Sequence, residues 1–494
     1  MATTQSLNSD DARLAELGYR QEFKRHFTLW ETFGLSFSMV TVAPGIASVF
    51  FISVSNGGPV SMIWGVADCW VLHHSRLYCS LGTRISRSYR WGAILLDSPI
   101  CLSTMSQSPF VDHSNTIYLM AAVASVAWSI ALQIAACVTI GSNFTWAPTT
   151  AQLFGISSAV LVAQALVACF ATRIMARLQS FVIAVNFALI LVVIISLPAA
   201  TPKEFKNDTR YALGKFDNVN GWPNGFAFCL SFLTPLWVIA AFDVTAHISE
   251  EASNANFAVP WANVMSTSLA VITGVAVNIA VAFCMGNDLL SILSDPTGQP
   301  FATASCSRAP IFPTPYRNIL YSFLTEANLT LAASRQTFAF ARDGALPFSF
   351  WIYRMNKFSG TPVNAVWVVT SVAFILTLLV FAGSTAITTI FSLPIVAQYL
   401  SYIIPIFCRF AFKNDFTPGP FYTGRLSAPI SILSLVWMVF MMIVFMFPAT
   451  PIISSVSMNY TSACLGAWVL FVSYWVLFPI QRTRRCLLVQ GTGT

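Results

Sequence analysis

The sequence predicts an all-α polytopic membrane protein of about twelve spans. Composition is the first reason: hydrophobic residues make up 56% of the 494 and charged residues 9%, against roughly 25% charged in soluble domains. Apolar runs long enough for a bilayer core of ~30 Å recur along the chain. The cations fall between those runs and form no patch interleaved with aromatics, so the net charge of +7 fits membrane orientation and not nucleic acid. Scattered cysteines without a CxxC pair or a His/Cys cluster indicate neither a metal site nor a disulfide framework. HExxH, GxSxG and P-loop motifs are missing, so no catalytic residue, cofactor or nucleotide is expected.

In chain order, residues 1–32 are polar and read as a cytoplasmic tail, not a cleaved signal peptide. The transmembrane domain covers 33–480, and 481–494 is a second cytoplasmic tail. The first span, about Phe33 to Val54, holds Val42-Ala43-Pro44-Gly45-Ile46-Ala47-Ser48 in its middle. Proline removes a backbone donor and glycine loosens the turn, so the helix is expected to unwind there and free backbone groups for a ligand; a plain proline kink is the alternative. A second span starts at Val60 and degenerates after Val66 into Asp68, His73-His74 and Arg76. Clean spans follow at about 117–140, 151–171 and 181–198.

The sixth span, Phe226 to Ile248, carries Asp243 and His247 and runs into Glu250-Glu251. An acid at that depth costs roughly 2.5–3.5 kcal/mol on insertion scales, so it normally faces a partner or a wet cavity. Asp243 marks either a binding site or a helix end, and both hold if the helix breaks at the site. This interrupted span comes five after the first, as an inverted five-plus-five repeat requires. Beyond it lie 263–285, a poor eighth span near 316–334 interrupted by Arg317, Asn318, Glu326 and Asn328, and four clear spans at about 363–382, 385–408, 427–447 and 460–480.

With the N-terminus inside, the cytoplasmic segments hold Arg20, Lys24, Arg25, Arg173, Arg177, Arg335, Arg342, Arg354, Lys357, Arg409, Lys413, Arg425, Arg482, Arg484 and Arg485, which satisfies the positive-inside rule. The loop after the fifth span is an exception, its cations diluted by Glu204, Asp208 and Asp217. Glycosylation sequons at Asn143, Asn207 and Asn459 all fall in loops placed outside. A fourth, at Asn328, lies inside the eighth span and is not expected to be modified.

Several stretches now carry a resemblance. LGYRQEFKRHFTLWETFGLSFSM, the NGGP at Asn56–Pro59, AFDVTAHISEEASNA, NIAVAFCMG and LAASRQTFAFARDGALPFS together resemble the fungal amino acid/choline transporter family, the GABA and choline permeases of the amino acid–polyamine–organocation superfamily. The resemblance implies a fold similar to the leucine transporter, with spans one to five and six to ten as inverted repeats and two trailing helices. It implies secondary active transport of an amino acid, GABA, choline or a polyamine, driven by a coupling proton, at the plasma membrane in preference to the vacuole.

Carried over position by position, the cargo site would fall at Ala43, Pro44, Gly45, Ile46, Ala47 and Ser48 and at Ala240, Ala241, Phe242 and Asp243. Asp243 and Phe242 would meet a cationic end, and the backbone around Gly45 a carboxylate. Gln133 is a candidate lining residue or an interhelical hydrogen bond; Trp237 reads as packing. Glu250 and Glu251 would pair with the Arg342-Asp343 end as a cytoplasmic gate, or sit in a solvated loop. His247 is a polar cap or a proton exchanger.

Two stretches depart from the family pattern. Residues 72–113 lack the expected proline, paired glycines and Leu-Tyr-Tyr-Trp-Thr-Ala run, and codons can be chosen for Ile94 to Ser98 that restore Tyr-Tyr-Trp-Thr-Ala one base later. Residues 303–321 replace an apolar stretch with CSRAPIFPTPYRN. A non-transporting nutrient sensor of the same fold, or an inactive product of a damaged gene model, therefore stand beside the working carrier.

Overall fold

Within lipid a backbone N–H or C=O finds no water, so each apolar run must satisfy its own polar groups as a helix. A computed structural model describes residues 27–81, 108–170, 172–294, 299, 301, 314–342, 344, 346–356, 359–383, 386–411, 424–452 and 458–477. Long helical segments dominate these residues and are numbered here in chain order. Segment one is Leu29–Ser55, in two halves; two is Gly58–Leu81, three Ser108–Gly141, four Thr150–Phe170, five Thr172–Ala200 and six the interrupted Asn224–His247. Seven is Ala255–Cys284, eight Thr314–Arg342, nine Val363–Thr377, ten Ala386–Ala411, eleven Ser427–Val444 and twelve Thr461–Leu477. Among the described residues, nine of these are long and apolar enough to cross a membrane, and segments two, eight and twelve fall outside that set.

Segment three is the inner axis. Tyr118 and Trp128 are fully buried in it, and it packs against segments four, eight, nine and ten. Segments four, five, nine and eleven turn large apolar side chains outward, among them Leu166, Phe170, Ile195, Ile375 and Val436. Large apolar side chains turned outward on four long helices are the reverse of a water-facing surface.

The second helix runs from Gly58 to Leu81, on through the polar stretch after Val66. The eighth is one continuous helix of 29 residues, because its polar residues face inward and do not break it: Asn318, Glu326 and Asn328 are all buried. Of the stretches that depart from the family pattern, 82–107 and 303–313 lie outside the described residues.

Two short contacts fix the ends of segments one and six. Asn56–Gly57 pairs antiparallel with Asp217–Asn218 ahead of segment six. Gly57 has φ 144, and a Cβ there would lie 2.5 Å from the Phe216 ring, so the position demands glycine. At the opposite end, Phe27 N donates to Glu251 O at 3.1 Å and Ser253 N to Phe27 O at 2.9 Å, tying the start of segment one to the end of segment six.

Candidate functional site

Segments one and six both break in mid-course, and the breaks lie side by side. In segment one, Leu29–Met39 ends and Val42–Ser55 begins, with Val40 (ψ 82) and Thr41 (ψ 80) outside helical geometry. The expected unwinding across Ala43 to Ser48 is therefore corrected: those residues form the first turns of the second half-helix, and the chain breaks just ahead of them. Pro44 fits there because the first turn of a helix leaves its N–H groups without intrahelical acceptors. Gly45 N closes that turn on Thr41 O at 2.8 Å. A Cβ on Gly45 would meet Thr41 Oγ1 at 2.6 Å and Val238 Cγ2 at 3.3 Å, so glycine sets the approach of segment one to segment six.

Segment six breaks where its acid predicts. Leu233–Ile239 gives way to a tight turn over Ala240–Asp243, with Ala241 at ψ 21, before Val244–His247. Ser36 Oγ donates to the freed Phe242 carbonyl at 3.4 Å, joining the first half of segment one to this turn. The same hydroxyl reaches Ser266 and Asn263 of segment seven.

Asp243 is fully buried and held by three donors. Tyr118 of segment three donates to Oδ1 at 3.0 Å; Gln398 and Tyr402 of segment ten donate to Oδ2 at 3.3 and 2.7 Å. Gln398 also donates to Ala240 O at 2.7 Å, and the Tyr118 hydroxyl lies 3.3 Å from the same carbonyl. A carboxylate buried without such donors is costly, and donors to an ion are the stronger class of hydrogen bond. Sequence reasoning missed all three partners; a glutamine inside the apolar run of segment ten was the available signal. Phe242 is buried beside Asp243.

The carbonyls that end the first half-helix are capped from elsewhere. Ser38 O accepts from Tyr321 at 3.0 Å and Thr325 at 3.1 Å, both of segment eight. Gln133 sits in a polar chain: its Nε2 donates to Ser48 Oγ at 3.0 Å, Ser129 also donates to Ser48, and Ser322 donates to Gln133 Oε1 at 3.4 Å. That chain joins segments one, three and eight, as interhelical glue does. Trp237 donates to Ser125 at 3.1 Å and packs edge-on against Phe391. His247 lies between Gln336 at 2.9 Å and Asn115 at 3.3 Å, a bridge from segment six to segments eight and three.

At the far end of segment six Glu251 forms a buried ion pair with Arg335, Nε to Oε1 2.8 Å. The expected partner was the Arg342-Asp343 end, two turns further along the same helix. Arg342 is half-buried; the Glu250 side chain and Asp343 lie outside the described residues. Of the three sequons, Asn143 is exposed in a left-handed turn (φ 51). Asn207 donates to Ala282 O and Gly286 O. Asn459 is buried, with its amide donating to Phe445 O and Phe447 O, so the folded structure leaves that nitrogen no room for a glycan.

Comparison with known proteins gives the family. Residues 27–470 match the family model described as amino acid permease. The chain belongs to the amino acid permease family. A relative described as an uncharacterized amino-acid permease of Schizosaccharomyces pombe is 35% identical over 481 residues, covering 95% of this chain and 87% of the relative. The GABA-specific permease of Saccharomyces cerevisiae is 31% identical over 95% of this chain and 84% of its own length. A putative polyamine transporter of Candida albicans is 28% identical over 96% and 88%. This permease is thus an integral membrane transporter of amino acids or related amines, and not an enzyme.

Proposed function

We propose that the permease is a secondary active, proton-coupled carrier whose cargo, an amino acid, GABA, choline or a related amine, is held between the breaks of segments one and six. The observation that carries this is their apposition, Ser36 Oγ on Phe242 O at 3.4 Å. Each break opposes a helix end of one polarity to one of the other. The N–H groups of Val42 and Ala43 at the start of the second half-helix suit a carboxylate. The carbonyls around Ala240, the Phe242 ring and Asp243 suit an ammonium or quaternary amine.

The Asp243 carboxylate accepts three hydrogen bonds against about four lone-pair sites. An amine would therefore bind by taking the remaining site or by displacing Gln398, the longest of the three contacts. Breaks five segments apart support the twelve-span, five-plus-five inverted repeat with two trailing helices. The Glu251–Arg335 pair acts as a latch that closes one end of segments six and eight.

The test is uptake by the full chain in liposomes, with labelled GABA, choline, putrescine and neutral amino acids as probes, with and without an inward pH gradient. Gradient-driven accumulation of one probe class is expected. Saturable binding without uptake would favour the sensor of the same fold, and neither binding nor uptake the inactive product.

A further inference from the structure

Among the described residues, three carboxyl groups are fully buried: Asp243, Glu251 and Glu326. The first is held by three donors and the second by an arginine. Glu326, at 0% exposure in segment eight, has no hydrogen-bond partner at either oxygen among the described residues. Buried polar atoms are nearly always satisfied, so an orphan of this kind needs a physical cause. A carboxyl within a membrane bundle, with no cation or donor on it, is a functional group by default.

Its surroundings sharpen the assignment. Ser322, Glu326 and Thr330 share one face of the helix at four-residue spacing. Ser322 meets Gln133 of segment three at 3.4 Å, and one residue before Glu326, Thr325 bonds Ser38 O at the end of the first half-helix. Glu326 therefore lies at the depth of the break in segment one. Further unsatisfied atoms line the same side of the bundle. Thr330 Oγ1 is one turn along, and Gln164 Oε1 of segment four belongs to a side chain whose Nε2 donates to Phe323 O at 2.8 Å; Ser157 Oγ is two turns from Gln164.

Among the described residues, titratable groups on the elements packed against segment eight are engaged elsewhere, Glu31 of segment one accepting from Thr28 N. Tyr118 holds Asp243, Tyr321 holds Ser38 O, His247 bridges Gln336 and Asn115, and Arg335 holds Glu251. His113 packs on Phe340 and Trp468, Cys169 sits near Arg335, and Arg177 of segment five is exposed. The described part of segment nine carries no ionisable side chain.

We propose that Glu326 is the intramembrane group that carries the coupled proton, binding it from water on one side of the membrane and releasing it to water on the other as the bundle opens in turn. Among the described residues nothing compensates a charge at Glu326, whereas Asp243 and Glu251 keep their partners. This rests on the proton-coupled reading above, and its test is chosen to fail separately.

The direct test is infrared difference spectroscopy of the purified full chain, wild type against Glu326→Gln. A carbonyl-stretch band of a neutral carboxylic acid present in wild type and lost in E326Q is expected; identical spectra would overturn the proposal. Should E326Q fail to fold, Glu326→Asp replaces it, and a band that does not move with the shortened acid overturns it equally. In liposomes, with labelled GABA, choline or putrescine, E326Q is expected to retain probe-for-probe exchange and to lose gradient-driven accumulation at least tenfold, with E326D restoring part of it. Unchanged accumulation by E326Q would sink the proton role. A wild type that moves none of the probes contradicts the transport reading, while the infrared comparison still decides whether Glu326 holds a proton.

Discussion

The Tyr402 hydroxyl lies 2.7 Å from Asp243 Oδ2, so segment ten reaches the acid that interrupts segment six. Together with Tyr118 and Gln398 it fixes the turn at which the helix breaks. Removing a donor from a buried charged group costs about 1.5–3 kcal/mol. Tyr402→Phe should lower the thermal stability of the purified permease by that order and depress uptake, and Tyr118→Phe should do the same. Thermal unfolding that matches wild type for both would show that the contacts do not hold the turn.

Glu251 and Arg335 are both almost wholly buried. Taking away one member leaves an uncompensated charge and costs about 3–5 kcal/mol, whereas replacing both with apolar residues can be nearly neutral. Glu251→Leu and Arg335→Met should each destabilise strongly, and the double variant should recover much of the loss. A double-variant cycle with additive effects would mean that the pair is not coupled.

Gln133 contributes through the helix contacts it makes. Interhelical hydrogen bonds in membranes average ~0.6 kcal/mol, so Gln133→Leu should cost little stability and leave the half-saturating probe concentration within about threefold of wild type. A much larger shift in that concentration, with stability unchanged, would place Gln133 on the cargo.

Glycosylation distinguishes the three sequons. Asn143 is exposed, while the Asn207 and Asn459 amides are spent on backbone carbonyls. Expressed in a glycosylating host, the chain should lose its glycan-dependent mobility shift with Asn143→Gln and keep it with Asn207→Gln or Asn459→Gln. A shift that survives Asn143→Gln would refute this.

The sequence shows the break in segment six because an aspartate in an apolar run is too costly to sit there without donors or a helix end to meet it. It misplaces the break in segment one by a few residues. Pro44 and Gly45 mark the neighbourhood, but proline is compatible with the first turn of a helix, so the irregular backbone falls on Val40 and Thr41, which carry no composition signal. The clamp on Asp243 was illegible because Tyr118 and Tyr402 look like ordinary aromatic members of apolar spans. Arg335 and Arg342 were both visible as cations at one helix end; only packing shows that Arg335 takes the Glu251 pair. Glu326 read as a flaw in a poor span, since burial on a helix face cannot be told from interruption by hydropathy alone.

If cargo passes between the breaks of segments one and six, gradient-driven uptake in liposomes must distinguish wild type from Gly45→Val. Gly45 lies where a side chain would collide with Thr41 and press on Val238. Wild type should accumulate at least one of labelled GABA, choline, putrescine or a neutral amino acid under an inward pH gradient, and Gly45→Val, though folded and inserted, should not. Accumulation by Gly45→Val equal to wild type, or none by wild type for any probe, would mean that cargo does not pass there.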